Sequence, residues 1–168
     1  MEYKIAKDKF VQAWGSLGTK WGVNRTMSQI HALLLISPKP LSAEDVMGEL
    51  SISMGNANMN LRALIDWSLV YREIIPGERR DFFVAEKDMY RVAMRILKER
   101  RKRELEPVVA LLDDFVHIDN KGSSEEIKEF QKVVSNLSDF TQNADKAVEK
   151  LVKAEEKWFF GTLLRLFK

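Results

Sequence analysis

The chain has 168 residues, of which 45% are hydrophobic and 31% are charged, an ordinary composition for a globular protein with a sizeable core. It contains no cysteine and only two histidines, which excludes disulfides and thiolate chemistry and argues against a metal site. The net charge is +2, and residues 1–85 carry ten Lys or Arg against nine Asp or Glu, so this half lacks the strong positive charge of many nucleic-acid-binding proteins. No apolar run reaches the roughly 18 residues that would span a bilayer, and MEYKIAKDKF has no apolar signal core, so we expect a cytoplasmic protein.

The first two elements are predicted to be helices. Apolar residues at helical spacing predict an amphipathic helix over residues 1–21, which breaks near Gly15 or Gly18 and serves a scaffold or dimer contact. The run TMSQ matches a capping box, with Thr26 as the cap and Gln29 three residues later. The helix that it opens is expected to end at the two prolines of SPKP.

The following segments predict a winged helix-turn-helix domain over residues 22–85. Ser42 and Asp45 repeat the capping pattern before a short helix, and Ser53 is predicted to cap the next helix, which extends to about Trp67. Two short helices joined by so tight a turn are typical of a helix-turn-helix. LVYREII and DFFVA are rich in β-forming residues and flank the turn dipeptide of PGERR, which predicts a β-hairpin, the wing.

The helix after Ser53 has an unusual composition, because Asn and Gly are poor helix formers. At 100° per residue, the side that we expect to pack inward consists of Met54, Ala57, Leu61, Leu64, Ile65 and Ser68. The opposite side consists of Asn56, Met59, Asn60 and Ala63, with Gly55 and Arg62 on its flanks and Asn58 at the boundary. This composition suits a helix in the major groove, because Asn can bond adenine bidentately and Met can contact a thymine methyl group.

The predicted DNA contacts divide into two groups. Asn56, Met59 and Asn60 are predicted to contact bases. Ser53, Asn58 and Arg62 are predicted to position the helix on the DNA backbone. The alternative is a solvated surface without a role, which is disfavoured because such a surface is usually filled with Glu and Lys.

The wing carries arginines that suit the same role. Arg79 and Arg80 at the hairpin tip are predicted to contact a phosphate or the minor groove, and Arg72 on the first strand is predicted to add a contact to the DNA backbone. The alternative is an ordinary charged turn that Glu78 and Asp81 partly neutralise.

Residues 86–168 are predicted to form a helical dimerisation region. A first long helix is expected to extend to about Ile118, with a kink or restart at Pro107, and DNKGSS predicts a turn and a new cap. The last segment has apolar residues spaced alternately by three and four, which is the seam of a coiled coil. We expect this seam to be covered by a mixture of the first long helix and a second copy of the chain. It consists of Phe130, Val133, Leu137, Phe140, Ala144, Ala147, Leu151, Ala154 and Trp158.

Three further features each have two interpretations. The apolar tail WFFGTLLRLFK is predicted to insert into the dimer partner, and an amphipathic helix on a membrane surface is the alternative. The run KERRKR, residues 98–103, could bind phosphate, but a solvated helix face is favoured. Trp14, Trp21 and Trp67 could hold a quaternary ammonium effector, but core packing is favoured.

The region from Trp14 to Phe83 resembles the GbsR branch of the MarR-type transcriptional regulators. The resemblance lies in SPKPLSAEDV, in LRALIDWSLVYRE and in PGERRDFF, in that order, and extends to the placement of the two long helices. It implies a homodimeric winged-helix repressor whose terminal helices form the dimer, with a small effector between the dimer and DNA-binding parts. In some members it also implies control of compatible-solute transport or synthesis. The start of the recognition helix is Ser/Thr-rich in the family and Asn-rich here, which implies a different operator.

The sequence therefore predicts a mostly α protein with a small β-hairpin wing that binds double-stranded DNA as a homodimeric transcriptional regulator. A winged-helix protein-interaction or scaffold module that does not bind DNA is the alternative, and the balanced charge is its best support. We expect no enzyme and no cofactor, because the chain has no histidine–carboxylate constellation, no GxGxxG and no P-loop.

Overall fold

The structure is a computed structural model that describes residues 1–116 and 124–166, with side chains for residues 1–115 and 124–154. The mostly α architecture with a small sheet confirms the predicted fold class. The helices are α1 (Tyr3–Lys20), α2 (Arg25–Ile36), α3 (Ala43–Leu50), α4 (Met54–Asp66), α5 (Met89–Arg100), α6 (Glu106–Val116) and α7 (Glu125–Leu166). The strands are β1 (Leu41–Ser42), β2 (Val70–Glu73) and β3 (Phe82–Ala85).

The chain divides into two compact units, Met1–Val92 and Ala93–Lys168. The first unit contains α1 together with the helix-turn-helix and the wing. The predicted three-part division, with a boundary after residue 21 and another after residue 85, stays a prediction.

In the first unit, α1 is one continuous helix, so the predicted break near Gly15 or Gly18 is wrong. Both glycines are buried where α1 packs on α2. A Cβ at Gly18 would lie 2.0 Å from Ser28 Oγ and 2.7 Å from Ser28 Cβ, and a Cβ at Gly15 would lie 2.6 Å from Gln29 Cγ. The glycines therefore allow two helices to approach closely, which tertiary packing decides and local propensity does not.

The two ends of α2 are satisfied by polar side chains. Its cap is Asn24, whose Oδ1 accepts a hydrogen bond from the Met27 backbone N–H at 3.2 Å, and Thr26 lies inside the first turn, so the prediction of Thr26 as the cap is wrong. At the other end, Lys87 Nζ donates to the carbonyl oxygens of Leu34, Leu35 and Ser37 at 3.1, 2.6 and 2.8 Å. These bonds satisfy carbonyls that have no partner within a helix, and they place a positive charge at the negative end of the helix dipole.

His31 is a core residue of α2. It is buried beside Trp14 of α1, with the two ring centroids 6.2 Å apart. Burial lowers the pKa of His31 from 6.5 to about 4, because the imidazolium form loses its hydration. The residue is therefore neutral in the folded chain at pH 7.

The helix-turn-helix, formed by α3 and α4, begins as predicted. Ser42 and Asp45 form a complete capping box at the start of α3, and Ser53 Oγ accepts the Asn56 N–H at 3.2 Å at the start of α4. The turn between the helices is short because Ser51 adopts a left-handed conformation, with φ of 52°.

The end of α4 is a Schellman motif. Ser68 has φ of 58°, and the Leu69 N–H reaches back to the Leu64 carbonyl at 2.9 Å. Ser68 was expected to pack inward as part of the helix, but it lies beyond the helix end and is exposed.

The wing is antiparallel, with Val70 opposite Ala85 and Glu73 opposite Phe82. A third strand, β1, which the sequence did not predict, pairs with the other edge of β3, and the strand order is β1-β3-β2. The core of this unit lies between the sheet, α2 and α4, and its most buried side chains include Ile30, Leu33, Leu34, Val46, Leu61, Leu64 and Val70.

The predicted first long helix starts at the end of the first unit, continues into the second and is interrupted there. It begins at Met89, and a π-helical turn over Arg101–Leu105 separates α5 from α6 just before Pro107. Such a turn shifts the hydrogen-bond register of a helix, which accommodates a residue without an N–H. Ser124 Oγ caps α7 by accepting the Ile127 N–H at 3.3 Å.

Candidate nucleic-acid interface

The outward side of α4 is a stripe that begins at the N-terminus of the helix. Gly55, Met59, Arg62 and Asp66 are exposed, and Met59 is 60% exposed. Half-buried Asn56 and Asn58 flank this stripe on opposite sides. The observed stripe is rotated by roughly 80° from the predicted face at the α-helical repeat. Because the Asp66 carboxylate would repel a phosphate, the part of α4 from its N-terminus to Arg62 suits contact with DNA and the last turn does not.

Asn60 does not belong to this surface, and its prediction as a base-reading residue is wrong. The residue is 3% exposed, on the side of α4 that also buries Ala57, Leu61 and Leu64. Its Nδ2 donates to the Asn56 carbonyl oxygen at 2.9 Å and to Asn56 Oδ1 at 2.7 Å. A buried amide is tolerated here because its donors have partners within the same helix.

The other predicted residues of α4 lie at or beside the surface. Ser53 is exposed at the N-terminus of the helix, where backbone N–H groups and the helix dipole favour a phosphate. Arg62 is exposed and makes no ion pair with any residue that the structure describes. Asn56 and Asn58 remain accessible in part. These positions allow the predicted contacts, which stay predictions.

The wing ends in a tight turn at Pro76 and Gly77. The Glu78 N–H donates to the Ile75 carbonyl at 3.1 Å, and Gly77 has φ of 87°, the geometry of a type II turn. Arg79 follows this turn, is exposed, and forms no ion pair among the described residues. It is therefore the wing arginine that is most available to a phosphate.

The two other wing arginines are held by acidic neighbours. Arg80 lies 3.3 Å from Glu78 and 5.3 Å from the centroid of the Phe82 ring. Arg72 lies 3.6 Å from Asp81. Both guanidinium groups are about half exposed, so these pairs fix their direction at small energetic cost and do not bury them.

The charge of Arg80 also reaches the helix-turn-helix. Hydrogen bonds from the Ser42 backbone and hydroxyl are the main reason that the pKa of Asp45 lies below its ordinary value, and the positive charges of Arg80 and Lys39 add to the effect. The start of α3 and the wing arginine therefore belong to one electrostatic neighbourhood.

The predicted coiled-coil seam is largely uncovered within one chain. Phe130, Val133, Leu137 and Leu151 are about half exposed, and Phe140 is 71% exposed. Ala144 is half-buried, and Ala147 and Ala154 are exposed. Trp158, together with the side chains of the apolar tail, lies outside the described residues.

The side of α7 that packs within the chain is a neighbouring stripe. Its buried members are Val134, Ser138, Thr141 and Val152, offset by one residue from the predicted seam. Because one residue turns the helix by about 100°, α7 can bury this stripe on α6 and present the predicted seam elsewhere. The structure thus shows a buried stripe beside the predicted seam, and the predicted covering of the seam by a second copy of the chain stays a prediction.

The run KERRKR is occupied by ion pairs. Arg100 donates to Glu104 at 2.8 Å, and Arg101 donates to both carboxylate oxygens of Asp145 at 2.6 and 2.9 Å. The bond from Arg101 is the main cause that holds the pKa of Asp145 below its ordinary value. These contacts agree with a helix face and with a link between the π-helical turn and α7, and they leave little free charge for a phosphate.

The three tryptophans lie in different surroundings. Trp67 is buried at the end of α4, Trp21 is half exposed, and Trp14 stacks on Phe10 with ring centroids 5.7 Å apart. Packing thus accounts for Trp14 and Trp67.

The part of the chain that the structure describes contains no group of three acidic or histidine side chains that could hold a metal ion. Over the same residues, no helix combines the length and the apolarity that crossing a membrane requires.

The sequence pattern placed Gly55 on a flank, whereas it lies at the centre of the outward stripe, where an added Cβ would meet no other atom within 4 Å. The spacing of Asn60 from its apolar neighbours in the sequence already indicated that this residue is buried. Asn60 is three residues after Ala57 and four before Leu64, two positions that were correctly expected to be buried. Treating Asn60 as a core position would have rotated the predicted face toward Gly55.

Comparison with known proteins gives a likeness in fold. No protein-family model matches the chain, and no curated protein matches it significantly. A crystal structure of a transcriptional regulator matches over 86% of this chain and 99% of its own, with 17% identity and a TM-score of 0.58. A mutant of S. aureus MepR bound to an oligodeoxyribonucleotide matches over 80% of this chain and 94% of its own, with 13% identity and a TM-score of 0.42. The chain thus shares its winged-helix fold with a known transcriptional regulator.

Proposed function

We propose that the chain is a sequence-specific DNA-binding transcriptional regulator of MarR-like type, a repressor that acts as a homodimer. The observation that carries the proposal is the surface of α4 between its N-terminus and Arg62, where Gly55, Met59 and Arg62 are exposed and half-buried Asn56 and Asn58 flank them. A small residue, two amides, a flexible apolar side chain and a cation are the groups that a major-groove helix uses. The shared fold with a transcriptional regulator supports the same conclusion.

The remaining parts of the proposal rest on the family resemblance of the sequence and on the exposed apolar stripe of α7. The resemblance to the GbsR branch supports a repressor that responds to a small effector and resides in the cytoplasm. A dimer is supported by the exposed apolar stripe of α7, because a soluble helix rarely leaves Phe130, Leu137 and Phe140 in water without a partner.

DNA binding is tested with duplexes selected from a randomised library, with affinity measured by fluorescence anisotropy from about 50 to 200 mM salt. We expect a salt-dependent dissociation constant. The Arg79→Ala variant should weaken binding to all sequences and reduce the salt slope by about one for each copy that binds, because one phosphate contact is lost. Arg100→Ala is the matched control, because Arg100 is paired with Glu104, and its slope should stay unchanged.

The second candidate is a winged-helix protein-interaction module. The pairing of Arg72 with Asp81 and of Arg80 with Glu78 favours it, because these pairs lower the positive charge of the wing. Absence of binding at about 50 mM salt, where phosphate contacts are strongest, would support this candidate and reject the first.

Dimerisation is tested by sedimentation of the full chain. Phe140→Lys places a charge in the exposed stripe and should shift the dimer toward monomer. Ser135→Lys places the same charge on the far side of α7, where Ser135 is also exposed, and should leave the dimer intact. Equal sedimentation of the two variants would contradict an α7 interface.

A further inference from the structure

The buried amide of Asn60 determines how Asn56 is presented. Asn60 Nδ2 lies 2.9 Å from the Asn56 carbonyl oxygen and 2.7 Å from Asn56 Oδ1. A backbone carbonyl can only accept, so the group that Asn60 turns toward it must be the NH2. The second hydrogen of the same NH2 points at the Asn56 side chain, and the atom that receives it must be an oxygen.

Asn56 is therefore fixed at two points. Its backbone N–H donates to Ser53 Oγ at 3.2 Å, which holds the first turn of α4, and its Oδ1 accepts from buried Asn60. The oxygen side of the Asn56 amide faces the interior of the protein. The Nδ2 side is left toward the surface, next to exposed Gly55 and Met59.

This orientation matters for base recognition. Bidentate recognition of adenine needs an amide that turns both its oxygen and its NH2 to the base, because adenine presents the N7 acceptor and the N6 donor. Guanine presents two acceptors, N7 and O6, and suits a group that offers donors alone. Resting on the proposed function, we propose that Asn60 is a positioning residue that makes Asn56 a hydrogen-bond donor, so that Asn56 selects a guanine and disfavours an adenine.

The experiment is selection from a randomised duplex library by the wild-type chain and by variants. The Asn56→Ala variant identifies the base pair concerned, as the position at which its preference disappears. At that position the wild type should prefer G·C over A·T by about tenfold. The Asn60→Ala variant frees the Asn56 amide to rotate, and the preference should fall to about twofold or less while affinity for the rest of the site is retained.

Two further measurements separate positioning from a general loss of structure. Asn60→Ser keeps a hydroxyl donor for the Asn56 carbonyl and leaves Asn56 Oδ1 free, so it should fold and should relax the preference as Asn60→Ala does. Replacing the selected guanine by 7-deazaguanine removes the N7 acceptor and should weaken wild-type binding about fivefold, the value of one hydrogen bond, and should leave binding by Asn56→Ala unchanged.

Selection of A·T at this position by the wild type would overturn the inference. So would a preference that persists in a folded Asn60→Ser variant, or a loss of affinity in Asn56→Ala that is equal for all sequences, which indicates a phosphate contact. Failure of the wild type to enrich any sequence would instead reject the proposed function itself.

Discussion

Substitution of Gly18 by alanine tests the contact between α1 and α2. A Cβ at this position would lie 2.0 Å from Ser28 Oγ and 2.7 Å from Ser28 Cβ. The hydroxyl can rotate away, but the Ser28 Cβ is fixed to the backbone of α2. Because carbon atoms in contact prefer about 3.5–4.0 Å, the two helices must separate by roughly 1 Å.

The free energy of unfolding should fall for this variant. Overpacking of a core costs about 1–3 kcal/mol, and replacing glycine in a helix returns up to about 1 kcal/mol. Gly48 in α3 is the matched control, since nothing lies within 4 Å of a Cβ there. Gly48→Ala keeps the gain in helix propensity alone and should stabilise, so the two variants should differ by about 1–3 kcal/mol.

Urea unfolding followed by far-ultraviolet circular dichroism measures both values by linear extrapolation. Ser28→Gly in the Gly18→Ala background removes both contacting atoms, so a double-mutant cycle should show favourable coupling. Gly15→Ala should be milder than Gly18→Ala, because its nearest contact is the flexible side chain of Gln29 at 2.6 Å. A Gly18→Ala variant as stable as Gly48→Ala would refute the close packing of these helices.

Three further predictions concern stability. The pKa of His31 is about 4 in the folded chain and 6.5 ordinarily, so the unfolded chain binds the proton first as the pH falls. The free energy of unfolding should therefore be highest above pH 6.5 and should decrease by about 3 kcal/mol as the pH falls toward 4. The free energy of unfolding of His31→Gln should lack this part of the pH dependence. Lys87→Met keeps the aliphatic part of the side chain and removes the three hydrogen bonds to the end of α2, so the free energy of unfolding measured in urea should fall by about 1–2 kcal/mol. Lys4→Met, at an exposed site, is the control and should change the free energy of unfolding little. Ser51→Gly should raise the melting temperature, since the left-handed conformation with φ of 52° costs about 1 kcal/mol for a residue with a side chain, and a fall would contradict the left-handed turn between α3 and α4.

Features that depend on neighbouring residues in the sequence could be predicted. The caps by Ser42 and Ser53 follow from side-chain chemistry over three residues, and the wing follows from two β-forming runs around Pro76 and Gly77. Each of these signals is local, so tertiary structure had little to alter.

Features that depend on residues far apart in the sequence could not be predicted from it. Glycine is a poor helix former, so the sequence alone suggests that Gly18 breaks α1, and only the packing of α2 against it shows otherwise. Asparagine is usually a surface residue, so the sequence alone suggests that Asn60 is exposed, and only its hydrogen bond to Asn56 shows how a buried amide is satisfied. Because Asn60 was assigned to the outward side of α4, the whole outward face of this helix was predicted with the wrong rotation about the helix axis. The strand β1 is two residues long and exists through its pairing with β3, so its own sequence carries little signal.

The charges around α4 and the wing also limit how the proposed regulator can bind DNA. Of the four arginines on these elements, Arg62 and Arg79 have no acidic partner among the described residues, whereas Arg72 and Arg80 do. Two phosphate contacts in each copy correspond to a salt slope of about −2 for one copy and about −4 for a dimer. Such shallow slopes imply weak non-specific binding, so most of the affinity for an operator must come from base contacts by α4. A slope near −10 would show that further basic residues, outside this surface, reach the duplex.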